Sequence, residues 1–194
     1  MPEKIIVLAN RKGGTGKTTS SAYLAAVLYE RGHKVTGVDT DPDQSWLKWA
    51  RAGMLPYDVV EGDRDKLIEQ VEVMDGFVLI DTPPNDEAVI YRAGSVADEV
   101  IVPLAPTGLD VGRLGTTIRP IADLERMRGA PLASVLLTRW NSRLNLSRDV
   151  DELLGEKQMP LLDARIRQLT RYAEFATPTY LEEYEAVLKE LEII

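Results

Sequence analysis

Residues 10–19 read Asn10-Arg11-Lys12-Gly13-Gly14-Thr15-Gly16-Lys17-Thr18-Thr19. An apolar run, Ile5-Ile6-Val7-Leu8-Ala9, precedes them, and a helical pattern opens at Lys17. A glycine-rich stretch that follows a strand and opens a helix is the context of a phosphate-binding loop. Glycines let successive backbone N–H groups curl around phosphate oxygens without Cβ clashes, and the helix N-terminus adds partial positive charge at the same point. Lys17 is spaced to reach β- and γ-phosphates, and the Thr18 hydroxyl to ligate Mg²⁺. The expected nucleotide contacts are therefore Gly13, Gly14, Thr15, Gly16, Lys17, Thr18 and Thr19, with ATP and Mg²⁺ as cofactors. The ordinary G-x-x-x-x-G-K-[ST] pattern would place a glycine at position 11. This chain has Arg11 there, and a second lysine, Lys12, begins the loop.

Outward from the loop, short β-branched runs alternate with helical patterns. Strands are predicted at 4–9, 34–39, 57–61, 76–81, 100–104, 132–138 and 161–166. Several are continuously apolar, which is how strands of a parallel sheet covered on both faces read. Helices are predicted at 17–31, 45–52, 65–73, 86–93, 109–127, 147–155, 169–176 and 180–191. The first shows Tyr23, Leu24, Val27 and Leu28 on one face and stops at Gly32, where a left-handed C-cap is expected. Pro120 is expected to kink or divide the fifth. The alternation indicates an α/β fold, a single doubly wound domain over 1–194 with a mostly parallel sheet and helices on both faces.

Composition narrows the classes. The chain has 194 residues, 23 Lys+Arg against 31 Asp+Glu, net −8, one His and no Cys. Its 44% hydrophobic and 28% charged fractions are those of a globular chain. Without cysteine there are no disulfides, thiolate nucleophiles, Cys-based zinc sites or Cys-held iron–sulfur clusters. No apolar stretch approaches the ~20 residues of a membrane span, so the expected location is the cytoplasm.

Two acidic strand ends complete the candidate site. Val38-Asp39-Thr40-Asp41-Pro42 closes the second strand, and Ile80-Asp81-Thr82-Pro83-Pro84 the fourth. Carboxylates just past apolar strands sit at the sheet's C-terminal edge, the rim that carries the phosphate loop. A nucleotidase of this kind needs one carboxylate for Mg²⁺ and another to orient the attacking water. Asp81 suits the first role. Asp39 reads as a structural hydrogen-bond acceptor.

The K-G-G-T-G-K-T-T run at 12–19 resembles the deviant Walker A motif of the ParA/MinD family of ATPases. The resemblance implies that Lys12 reaches across an ATP-sandwich homodimer to the phosphates of the other subunit. Asp39-Thr40-Asp41-Pro42 resembles that family's first switch, which implies that Asp41 orients the attacking water and shares in the metal, although Asp43 stands where the family commonly has the glutamine of D-P-Q. The segment from Val102 to Thr107 with Leu109 and Asp110 is similar to the stretch before the family's dimer-interface helix. Ala164-Arg165-Ile166-Arg167, with Ala173 and Pro178, is similar to its region beside the base. Residues 39–53 look most like the small plasmid-encoded ParA proteins, which lack an N-terminal DNA-binding domain; the strand beginning at Lys4 leaves no room for one.

The resemblance implies an ATPase that segregates plasmid or chromosomal DNA or positions a cargo. It would bind DNA without sequence preference when ATP-loaded, associate with the nucleoid, and be stimulated by a ParB-like partner. Two alternatives share the fold: a biosynthetic P-loop enzyme similar to dethiobiotin synthetase, and a MinD-like membrane-surface ATPase. The acidic tail, five Glu and one Lys in 179–194, opposes attraction to anionic lipid.

Net charge divides as −7 over 1–110, +3 over 111–178 and −4 over 179–194. Arg165, Arg167 and Arg171 are therefore candidates for a DNA face. Arg139 and Asn141 follow the sixth strand, where the family that the chain resembles recognises adenine, and the resemblance makes them candidates for base contacts. His33 reads as an exposed turn residue. Trp46 and Trp49, three apart, read as one packed helix face.

Overall fold

The computed structural model describes residues 1–106, 108–141, 143, 149, 150, 152, 154, 160–168 and 182–194, with 108–113 described by backbone alone. Strand and helix alternate along the chain: β1 (Pro2–Leu8), α1 (Lys17–Glu30), β2 (Val35–Asp39), α2 (Ser45–Arg51), β3 (Asp58–Glu61), α3 (Leu67–Glu72), β4 (Gly76–Asp81) and α4 (Glu87–Val96). There follow β5 (Glu99–Leu104), α5 (Gly108–Arg128), β6 (Leu132–Trp140), β7 (Leu161–Arg167) and a last described helix, α6 (Glu182–Glu190). The seven strands form one sheet in the order β3-β2-β4-β1-β5-β6-β7, and every pairing is parallel. The chain winds one way from β1 to β2 and β3, then returns through β4 and crosses over to β5. The loop after β1 thus lies where the winding reverses, the place at which open α/β sheets bind ligands.

Alternation along each strand sends side chains to two cores. Ile6 and Leu8 pack with α1 and with Tyr184, Val187 and Leu188 of α6. Ile5 and Val7 pack with Leu67, Ile90, Ala93 and Ile121 of α3, α4 and α5. Burial on both faces is why the strands read as unbroken apolar runs. α1 buries Tyr23, Leu24, Val27 and Leu28 as expected, together with Ala22, Ala25 and Ala26. Its end is the expected left-handed cap: Gly32 has φ +84°, and His33 and Gly32 donate backward to Leu28 and Tyr29. This is the Schellman arrangement.

Pro120 does not divide α5, which runs unbroken from Gly108 to Arg128. Leu114 before it and Ile121 and Leu124 after it are all buried, so packing holds the helix on both sides. Of the helix expected at 147–155, Asp149, Val150, Glu152 and Leu154 are described and helical; its other residues, and the whole of the helix expected at 169–176, lie outside the described residues. β6 extends two residues past its expected end because Trp140 pairs with Arg167 of β7.

His33 is half-buried rather than exposed. Its ring meets Phe77 edge-on at 4.8 Å. Trp46 is fully buried, and Trp49 packs partly buried against the same core. The Trp46 ring lies over Gly37, where a Cβ would come within 2.6 Å of it. Only glycine fits there.

Candidate functional site

Pairing register brings the acidic strand ends together. Asp81 stands opposite Leu8 on one side and Asp39 on the other. β1, β2 and β4 therefore finish at one level, and the glycine-rich loop rises from it.

Gly14 and Gly16 take left-handed backbone, φ +73° and +92°, which a side chain would oppose. Gly16 sits at the N-cap of α1, and no side chain caps that helix end. Its leading amides are free of a side-chain acceptor, as an anion-binding terminus requires. Asn10 braces the loop from below, with Nδ2 donating to the Pro103 carbonyl at 2.8 Å and Oδ1 accepting from Lys12 N at 2.9 Å. From β6, Thr138 Oγ1 donates to the Thr15 carbonyl at 2.8 Å. Lys17 is buried, and its Nζ donates to the Lys12 carbonyl at 3.2 Å. Burial holds its pKa below the ordinary lysine value, against the opposing pull of Asp81 and Asp41.

Thr18 Oγ1 donates to Asp81 Oδ2 at 2.5 Å. Asp81 is fully buried, and its Oδ1 has no hydrogen-bond partner among the described residues. Burial pushes its carboxyl up to about 7, with the Thr18 hydroxyl and Lys17 pulling the other way. A buried carboxylate oxygen left over beside a threonine hydroxyl is a donor set that suits a small hard cation. Among the described residues no cluster of three or more Asp, Glu, His or Cys stands ready as a cage. Mg²⁺ keeps waters and phosphate oxygens around it and takes only one or two protein carboxylates. Thr18, Asp81 and Asp41 are the residues that would hold it.

Asp39 is the structural acceptor expected. Its Oδ1 takes the Asp41 N–H at 3.1 Å and its Oδ2 the Leu47 N–H at 3.0 Å, tying the segment after β2 to α2. Asp41 is half-buried and its Oδ1 accepts from Asp43 N at 2.9 Å. Gln44 enters α2 with left-handed backbone, φ 48°.

The structure adds two residues to this rim. Thr40 Oγ1 donates to the Asp81 carbonyl at 2.7 Å, and Thr82 Oγ1 to the Leu8 carbonyl at 2.8 Å. Each threonine fastens one strand end to its neighbour. The repeated Asp-Thr pair at 39–40 and 81–82 is the signal that could have revealed them.

The other expected residues that are described lie on β6, just past it, and on its neighbour β7. Arg139 is exposed with φ 53°, and the Asn141 side chain accepts from Arg143 N at 3.1 Å. Arg165 lies over the Trp140 ring at 5.5 Å. Arg167 pairs with Glu183 of α6. Arg171 lies outside the described residues.

Known proteins carry the same domain. The model of the CobQ/CobB/MinD/ParA nucleotide binding domain, CbiA, matches residues 6–177. This chain belongs to the ParA/MinD family. Among its ParA/MinD relatives, the maintenance of carboxysome distribution protein A of Gloeobacter kilaueensis is 32% identical over 170 residues, covering 84% of this chain and 76% of that protein. Protein ParA of Rhizobium radiobacter is 35% identical over 127 residues, which are 62% of this chain and 57% of that one. The fold recurs in a plasmid partition protein of Borrelia burgdorferi bound to AMPPNP, with TM-score 0.72, 22% identity and 98% and 99% of the two chains covered. It recurs equally in cobyrinic acid a,c-diamide synthase of Mycobacterium smegmatis with ADP and magnesium, with TM-score 0.73, 22% identity and 99% and 96% covered. The second likeness shows that the ParA/MinD fold alone does not separate a partition ATPase from a biosynthetic enzyme.

Proposed function

We propose that this chain is an ATP-dependent partition ATPase. The observation that carries the reading is the pair of lysines on one glycine loop: Lys17 buried within it, and Lys12 half-buried at its start. Its relatives named for carboxysome distribution and as ParA support the partition class.

In this reading Lys17, the amides around Gly13, Gly14, Thr15 and Gly16, and Thr19 hold the phosphates, and Thr18, Asp81 and Asp41 hold Mg²⁺. The metal supplies neutralisation of phosphate charge when bound. Asp41 orients the attacking water. Lys12 reaches the phosphates of a second subunit, adding a cation where charge develops, so that ATP and not ADP favours the homodimer. Arg139 and Asn141 contact the base. The dimer binds DNA non-specifically through arginines that include Arg165, Arg167 and Arg171, and a ParB-like centromere-binding or adaptor protein accelerates slow hydrolysis. The protein acts in the cytoplasm, on the nucleoid when ATP-bound, and without a membrane. The apolar side of α6, Tyr184, Val187 and Leu188, is buried in the core, and among the described residues no helix is long and apolar enough to cross a membrane.

Three measurements test this. Retention of arbitrary duplex DNA with ATP should exceed that with ADP and weaken with salt; no ATP-dependent retention overturns the DNA role. Lys12→Ala should abolish ATP-dependent dimers in light scattering, and their persistence overturns the role across the subunit boundary. Turnover that requires a small metabolite and ignores DNA would favour the biosynthetic relatives instead.

A further inference from the structure

Arg11 occupies the place where an ordinary phosphate loop has its first glycine, and its contacts run to three other segments. Its N–H donates to Thr117 Oγ1 of α5 at 3.4 Å. Its carbonyl accepts from Asn85 N at 3.0 Å. Its guanidinium pairs with Glu87, in the first turn of α4, at 2.7 Å. The segment from Asp81 to Glu87 is thus held at both ends by the same loop, through Thr18 on Asp81 and through Arg11 on Asn85 and Glu87. Pro83 and Pro84 lie between, and each fixes φ, which limits the backbone freedom between the two ends. Asn85 itself is held in left-handed backbone, φ 56°.

Arg11 is also the wall between two cavities. One, of about 320 Å³, is lined by Lys12, Gly13 and Asn85 beside the phosphate loop. The other, of about 310 Å³, lies between α4 and α5 against Ala88, Ile90, Tyr91 and Pro120. Arg11, Thr116 and Thr117 line both.

We propose that Arg11 is a positioning residue that transmits occupancy of the phosphate loop to the α4–α5 face through its contact with Glu87. The inference rests on the reading of the loop as a nucleotide site. The Arg11 and Glu87 side chains are 37% and 65% exposed, so their pairing adds little to stability. That suits a contact remade between two states. α4 does not need Glu87 to start, because Asp86 caps it by accepting from Val89 N at 3.0 Å.

The test is hydrogen exchange of α4 amides in the full chain, with and without AMPPNP and Mg²⁺. In the wild type, nucleotide should slow exchange at 90–96 by about tenfold. In Glu87→Gln the slowing should fall below about twofold, while AMPPNP affinity stays within about threefold of wild type, the scale of a lost surface pair. Arg11→Lys, which keeps the charge but loses the planar fork, should restore only part of the response that Arg11→Ala removes. A Glu87→Gln response equal to wild type would overturn the proposal, as would a wild-type α4 indifferent to bound AMPPNP. Failure of the wild type to bind AMPPNP would overturn the nucleotide reading itself, a separate outcome.

Discussion

The two ends of the sheet each bury a carboxylate and treat it in opposite ways. At the C-terminal rim Asp81 shares one oxygen with Thr18 and keeps Oδ1 without a hydrogen-bond partner among the described residues. At the N-terminal rim Glu99, 5% exposed, lies 3.3 Å from Lys4 Nζ. Beside it Asp98 accepts the Ile5 N–H at 2.7 Å. Burial raises both acids, but at Glu99 a lysine side chain bonded to it works against the rise. A carboxylate matched by its neighbours holds the fold, and one left with unused capacity marks where a ligand goes. The edge strand β7 repeats the first case. Glu190 accepts from the amides of Asp163 and Ala164, and Glu183 from the amide and guanidinium of Arg167.

The largest expected effect breaks that comparison on the side of activity. Asp81→Ala should lower Mg²⁺-dependent ATP turnover by about 10²–10³-fold in steady-state assays, whereas Glu99→Gln leaves it unchanged. Equal losses would show that the two rims are not functionally distinct. On the side of stability, Lys4→Ala strands a buried acid and should cost about 1–2 kcal/mol in urea unfolding at neutral pH, with turnover preserved.

The third prediction concerns pH. Folding raises the Glu99 carboxyl above its ordinary 4.5, so the folded chain binds that proton more tightly than the unfolded one. Its contribution is fully present below the unfolded value and is lost as pH rises through the folded value. Wild-type stability relative to Glu99→Gln should therefore fall from about pH 4 upward and then level off; a difference that grows with pH would contradict the assignment. The smallest effect belongs to the surface. Arg167→Ala removes a pair between its exposed guanidinium and half-buried Glu183, and should change stability by less than about 1 kcal/mol, less still in high salt.

The fold was legible because its signal is periodic and local. β4 occupies the predicted 76–81, since the four-residue apolar run Phe77–Ile80 is too short for a helix and is bounded by Gly76 and Asp81. The glycine-rich loop was legible for a related reason: few residue types tolerate its backbone, and they stand adjacent in sequence. The roles of Arg11, Thr40 and Thr82 were not legible, because their partners lie 74, 41 and 74 positions away at Asn85, Asp81 and Leu8. The arginines near the C-terminus looked like one basic group in sequence. In space Arg165 goes to Trp140 and Arg167 to Glu183, because α6 brings its acids across from the tail.

By itself the sequence determined the parallel α/β architecture, the glycine-rich loop between β1 and α1, and the carboxylates that close β2 and β4. These are written in short-range pattern, where a strand's hydrophobicity or a glycine's freedom speaks for itself. Only the tertiary structure decided which charges are matched. Pairing across the sheet set Asp81 between Leu8 and Asp39 with one oxygen left over, joined Lys4 to Glu99, and turned Arg11 toward α4. Charge satisfaction depends on distance in space, and the chain order does not carry it.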